Sequence, residues 1–162
     1  MKQLALCDVK GYCLTNSVDG GMKGDPKLRP YLDDPLGRTT RHVLHVLLGE
    51  CDLLRQKLDG SGVYLAMDNY FSSPTLFECL ASHGIFAVGT CRSNRTAGAQ
   101  AYLQNLGRTI PNRGDMNFCR SEEIAFVNWK DSKDISLTST IHIAQPKEDA
   151  GGINHFKPVP LA

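Results

Sequence analysis

The stretch from Val63 to Thr90 constrains the fold more than any other part of the chain. VYLAM (63–67) and IFAVGT (85–90) have the length and composition of buried strands. Between them, Ser73 followed by Pro74 marks a helix start. A serine hydroxyl accepts from a free amide of the first turn, and proline at the first helical position loses no hydrogen bond. Leu76, Phe77 and Leu80 then fall on one face of a helix running to about His83, and Gly84 stops it in the left-handed cap position. Strand, helix, strand is a βαβ unit, which implies parallel pairing.

Upstream, QLALCDVKGYCLTNSV (3–18) places β-favouring residues on either side of the polar break Asp8–Gly11, the pattern of a hairpin. Residues 19–36 are rich in glycine and proline and read as a surface loop, made basic by Lys23, Lys27 and Arg29. From Thr39 to Leu58 the spacing of Val43, Leu47, Cys51, Leu54 and Leu58 predicts one helix, weakened or kinked at Gly49. Beyond Arg95 the chain turns small and polar, with a short helix expected over 99–106. Runs at 115–120, 123–129 and 134–143 then predict an antiparallel β meander.

Composition narrows the function little. The chain of 162 residues is about one domain's worth, and 18 basic against 17 acidic side chains give a net charge of +1, which selects neither nucleic acid nor an anionic surface. No run approaches the roughly 20 apolar residues of a membrane span, and MKQLALCDVKGY lacks the form of a secretory signal, so an intracellular, unsecreted protein without a membrane partner is expected. Six cysteines without a C-x-x-C pair argue against a zinc ribbon or a thioredoxin-type dithiol and for reduced structural thiols. Both chain ends are abrupt, as in an incomplete domain.

Asp68 is the most informative candidate. A carboxylate at the C-terminal end of an apolar strand can hold a divalent metal while leaving sites to phosphate and water, or it can simply cap the turn. Arg92 and Arg95 follow a strand end and can meet a phosphate backbone or stand solvated. His42 with His45, and Cys79 with His83, have helical spacing that brings two metal ligands together, but each pair lacks a third ligand and reads as surface residues. Trp129 falls in an expected strand as a packing residue rather than a base-stacking platform.

Residues 63–95 resemble the piggyBac-type transposases and the transposable element-derived proteins related to them. That family's pattern is carried by Asp68-Asn69-Tyr70-Phe71-Ser72-Ser73, Leu76, and Gly89-Thr90-Cys91-Arg92-Ser93-Asn94-Arg95. Weaker similarity runs through LALCDVKGYCL, LGRTTRHVLHVL and FVNWKDSKDISLTSTIH, so that the resemblance covers residues 3–145. It implies an RNase H-like core of the DDE type, in which three acids hold two Mg2+ ions for DNA cleavage and strand transfer.

On that resemblance Asp68 is the second acid and a metal ligand, while Arg92, Asn94 and Arg95 lie near the nucleic-acid channel. The first acid belongs to a strand upstream of LALCDVKGYCL, where this sequence has not begun, and Asp8 sits at a hairpin turn instead. Gly151-Gly152-Ile153-Asn154 imitates the motif preceding the third acid, but it precedes Lys157-Pro158 and ends in asparagine.

The fold expected is therefore α/β or α+β: a partial RNase H-like mixed sheet with flanking helices and an added antiparallel β meander. Residues 1–95 form a core lacking its first strand, 96–145 a β-rich insertion or extension, and 146–162 a tail. Three readings stay open. The chain is a truncated transposase remnant, inactive alone and holding no Mg2+ stably; a nuclear DNA-binding or protein-interaction module; or part of a full transposase in an incomplete gene model. Unpaired strand edges make self-association an expectation of the first reading.

Overall fold

The computed structural model describes residues 2–20, 36–146 and 156–160. The basic residues Lys23, Lys27 and Arg29 and the Gly151–Asn154 segment lie outside the described residues. The chain divides into two compact units, one of Met1–Val63 with His83–Ile85 and one of Tyr64–Ser82 with Phe86–Ala162.

In the first unit, β1 (Lys2–Cys7) and β2 (Cys13–Asp19) form the expected antiparallel hairpin. The strand alternation turns Leu4 and Ser17, paired across the ladder, to the buried face. Asp8 shapes the turn, its Oδ1 accepting the N–H groups of Lys10 at 2.9 Å and Tyr12 at 2.8 Å.

The single helix expected over 39–58 is instead two, α1 (Arg38–Leu44) and α2 (Asp52–Leu58), joined by a π-helical turn at His45–Gly49. The Glu50 N–H reaches back to the His45 carbonyl at 2.8 Å, and Cys51 is extended, with φ −142° and ψ 119°. The apolar stripe consequently stops inside the turn. Val43, Leu44, Val46, Leu47 and Leu48 are buried, whereas no residue of α2 is. Gly49 stands where the helix fails, as its low helix propensity predicts.

The second unit holds a five-stranded mixed sheet in the order β3 (Tyr64–Met67), β4 (Phe86–Thr90), β7 (Asp134–Ser139), β6 (Ile124–Lys130), β5 (Met116–Ser121). β3 and β4 are parallel and the other pairs antiparallel, as the βαβ pattern and the meander require. The meander is continuous with the βαβ unit through β7, which pairs with β4.

The connecting helix α3 (Pro74–Ser82) starts at Ser73, whose hydroxyl accepts the Leu76 N–H at 3.3 Å. Leu76, Phe77 and Leu80 are fully buried as α3 packs against β4 and β6. α4 (Ala99–Asn105) lies against β5.

Two further expectations change. Residues 134–143 are not one strand: the chain leaves β7 at Thr140, where the Thr140 N–H donates to the Ala87 carbonyl at 2.9 Å and Thr140 Oγ1 accepts the Ala87 N–H at 2.8 Å. β8 (His142–Pro146) then pairs with β9 (Phe156–Pro160), which contains Lys157-Pro158. β3, read as buried, alternates between exposed and half-buried, because it is an edge strand that pairs with β4 alone among the described residues.

Candidate functional site

Asp68 follows the last residue of β3, and Cys91 and Arg92 follow the last residues of β4, so both stand at the carboxyl ends of two parallel strands. In open α/β sheets this is where ligands gather. Met67 faces Gly89 across the β3–β4 register. A side chain at Gly89 would collide with the Ser72 hydroxyl and come to 2.5 Å from the Met67 carbonyl oxygen, so only glycine allows the two segments this close.

The loop after β3 is wound tightly on Asp68. Its carbonyl oxygen accepts the N–H groups of Phe71 at 3.2 Å and Ser72 at 3.1 Å, and the Ser72 hydroxyl at 2.8 Å. Its carboxylate Oδ1 accepts the Tyr70 N–H at 2.9 Å. Ser72 is fully buried, while Asp68 and Asn69 are exposed. The turn-capping role and the presentation of a carboxylate to solvent are thus both met by the same residue.

The segment after β4 lies beside this loop. Arg95 Nη1 donates to the Tyr70 carbonyl at 2.8 Å, and Arg92 Nε donates to Asn69 Oδ1 at 3.4 Å. The Arg92 guanidinium is 5.9 Å from the centre of the Tyr70 ring, within cation–π reach. Tyr70 packs edge-on against Phe71 at 5.0 Å. Arg95 is half-buried and ties the two segments together, whereas Arg92 and Asn94 are exposed. Asn94 lines a shallow cleft of about 400 Å³ with Ser93, Gln100 and Gln104. Burial pushes the Cys91 thiol up, against a smaller opposing effect of Thr138, and its Sγ donates to the Arg95 carbonyl at 3.3 Å. Sequence reasoning missed Asn69 and Tyr70 as partners of the arginines. Their place inside the aspartate motif was the available signal, but no local pattern reports a contact across 23 residues.

The other candidates are used structurally. His42 and His45 are buried rather than at the surface: His45 Nε2 pairs with Glu50 at 2.6 Å, and His42 Nδ1 lies 4.0 Å from Asp19. His83 pairs with Asp59 at 3.0 Å. Trp129, in β6, faces Met116 and Ile135 on the neighbouring strands and is about a third exposed. Among the described residues no group of three or more His, Cys, Asp or Glu side chains is placed to hold a metal ion. A hard cation such as Mg2+ takes one or two carboxylates with substrate oxygens, and a two-metal centre needs several. Asp68 by itself is therefore not a complete site for the pair of ions.

The family model described as Transposase IS4 matches residues 2–154. The chain belongs to the transposase IS4 family. This transposase-family chain is also similar in fold to a solved piggyBac transposase, from a cryo-EM structure of its synaptic complex with hairpin DNA, with a TM-score of 0.63 and 22% sequence identity. The match covers 96% of this chain and 29% of that transposase, so the chain spans less than a third of its length. No curated protein matches the chain. The resemblance read from residues 63–95 is therefore borne out for family and fold, and the family is generally dependent on divalent metal. No helix among the described residues is long and apolar enough to cross a membrane.

Proposed function

We propose that this chain is a piggyBac transposase-derived portion of a DDE catalytic core that keeps the family's second acid as Asp68, acts on DNA in the nucleus, and does not cleave or join DNA by itself. The observation that carries this reading is the donor set. One exposed carboxylate stands at the end of the parallel strand pair, and no cluster of metal-ligating side chains stands with it among the described residues. The parent chemistry is two-metal phosphoryl transfer, in which several acids share the ions.

Incubation of the purified chain with hairpin-ended or nicked DNA in Mg2+ or Mn2+ is expected to yield no cleaved or joined product. Turnover that vanishes in Asp68→Asn, which keeps an oxygen acceptor for the Tyr70 N–H, would overturn the reading.

The exposed Arg92 and Asn94 favour DNA contact as the activity that this portion retains. A salt-dependent mobility shift is expected. Arg92→Ala is expected to weaken it across sequences and to lower the salt slope by about 1, as the loss of one phosphate contact does. Sequence-selective loss, or no change, would remove Arg92 from the interface.

Edge strand β3 exposes Tyr64 and offers backbone groups that no described strand pairs, which supports self-association of the isolated chain. Size-exclusion chromatography is expected to show concentration-dependent oligomers, and a monomer at all concentrations would count against this part of the proposal.

A further inference from the structure

We propose that Cys7 and Cys13 are a reversible dithiol–disulfide pair at the base of the β1–β2 turn, a modification site whose oxidising partner is a low-molecular-weight disulfide. The ladder places these two residues directly opposite each other, after a register shift between Leu6 and Cys7. Just beyond them the Asp8 N–H donates to the Tyr12 carbonyl at 2.9 Å. In an antiparallel ladder a bond between these flanking residues means that Cys7 and Cys13 occupy a non-hydrogen-bonded position. There the Cα atoms are about 4.5 Å apart and the side chains stand closest. Disulfides span Cα separations of roughly 4.4–6.8 Å, so a pair in this position falls within the range a disulfide bridges. Closure gives up the Cys13 Sγ contact to the Thr15 carbonyl at 3.4 Å.

The turn holds the pair in place. Besides the two bonds to Asp8 Oδ1, the Gly11 N–H donates to the Asp8 carbonyl at 3.0 Å, and Gly11 has the positive φ of 84° that this reversal requires. Both thiols are exposed and within reach of a small reagent. Partial desolvation, and after it the adjacent Cys13 sulfur, push the Cys7 thiol above its ordinary value, as expected for two thiols side by side. The remaining cysteines have no such arrangement. Cys91 is buried, Cys79 and Cys119 are half-buried, and the exposed Cys51 precedes α2 with no strand paired to it among the described residues.

The chemistry balances as two exchange steps. The thiolate of one cysteine attacks a sulfur of the reagent, forming a mixed disulfide and releasing one reagent thiolate. The second cysteine's thiolate then attacks the protein sulfur of that mixed disulfide, forming the Cys7–Cys13 bond and releasing the second reagent thiol. The pair loses two electrons and two protons, and the reagent is reduced to two thiols. Excess reduced thiol reverses both steps.

The test equilibrates the full chain in glutathione mixtures of graded reduced-to-oxidised ratio, quenches by alkylation and digests with trypsin. Cleavage after Lys2, Lys10 and Lys23 puts Cys7 and Cys13 on separate peptides, 3–10 and 11–23, so that the bridge reads as one linked pair. The linked pair is expected to be the dominant oxidised species at these two positions, with an equilibrium constant at least tenfold larger in buffer than in concentrated urea. Cys51 is expected to carry at most a glutathione adduct, and in Cys13→Ser the Cys7 thiol is expected to behave like Cys51. Separate adducts on Cys7 and Cys13 in the native chain, reduced thiols at every ratio, or a bridge that urea leaves equally favoured would each overturn the proposal.

Discussion

Phe77→Ala is expected to destabilise the second unit by about 3–5 kcal/mol, the range for removing a large buried aromatic side chain and leaving its cavity. Phe77 is fully buried between Leu76 and Leu80 on the face of α3 that packs against β4 and β6. Little can collapse into the space, because the backbone on the sheet side is fixed by the β4–β7 ladder and by the Ala87–Thr140 bonds. Chemical denaturation followed by circular dichroism measures the loss. Thr75→Ala, at an exposed position of the same helix, is expected to stay within about 0.5 kcal/mol. A small effect at Phe77 would mean that α3 does not anchor the loop that presents Asp68.

Gly89→Ala is expected to cost about 3 kcal/mol, at the upper end for overpacking, and to disturb the Asp68 loop more than the rest of the sheet. The added methyl group meets the Ser72 hydroxyl and stands 2.5 Å from the Met67 carbonyl oxygen, which is a backbone atom in the β3–β4 ladder. Removing the hydroxyl therefore gives only partial relief, and the double variant Ser72→Ala, Gly89→Ala is expected to remain well below the stability of Ser72→Ala alone. Amide exchange gives the spatial readout, with lost protection concentrated at Phe71 and Ser72, whose N–H groups bond to the Asp68 carbonyl. Unchanged protection there would show that β3 and β4 can separate without cost.

These two residues illustrate how differently parts of the site are legible. Phe77 lies on a helix face whose start is written in Ser73-Pro74 and whose stop is written in Gly84, all within about ten residues. Its burial follows from local periodicity. Gly89 is legible as a motif residue, but the reason it must be glycine shows only once β3 and β4 are paired in register, since the atoms it must avoid belong to Met67 and Ser72. Arg95 is a similar case. As sequence it is one of two arginines after a strand, and only the approach of the two loops commits it to the Tyr70 carbonyl and leaves Arg92 exposed.

The break between α1 and α2 marks the limit of periodicity from the other side. The spacing of Val43, Leu47, Cys51, Leu54 and Leu58 fits one continuous face, but that face is buried only through Leu48. Beyond the turn only Leu54 and Leu58 are half-buried and no residue of α2 is fully buried, so the packing gain is small beside the propensity penalty at Gly49, and the ladder slips to a π turn and restarts.

By itself the sequence determined the elements governed by near-neighbour physics: the hairpin, the capped α3, the parallel βαβ unit, the antiparallel meander, and the aspartate motif that carries the family. Backbone conformation there depends on residues a few positions apart. Only the tertiary structure decided which partners meet across long separations. It joined β7 to β4, left β3 at an edge, drew His42 and His45 into the interior, set Cys7 opposite Cys13 in a non-hydrogen-bonded pair, and placed Asp68 without a chelating cluster among the described residues. Strand order, burial of polar groups and side-chain convergence are settled by where the whole chain can bury apolar surface while satisfying its hydrogen bonds, and that competition has no local signature.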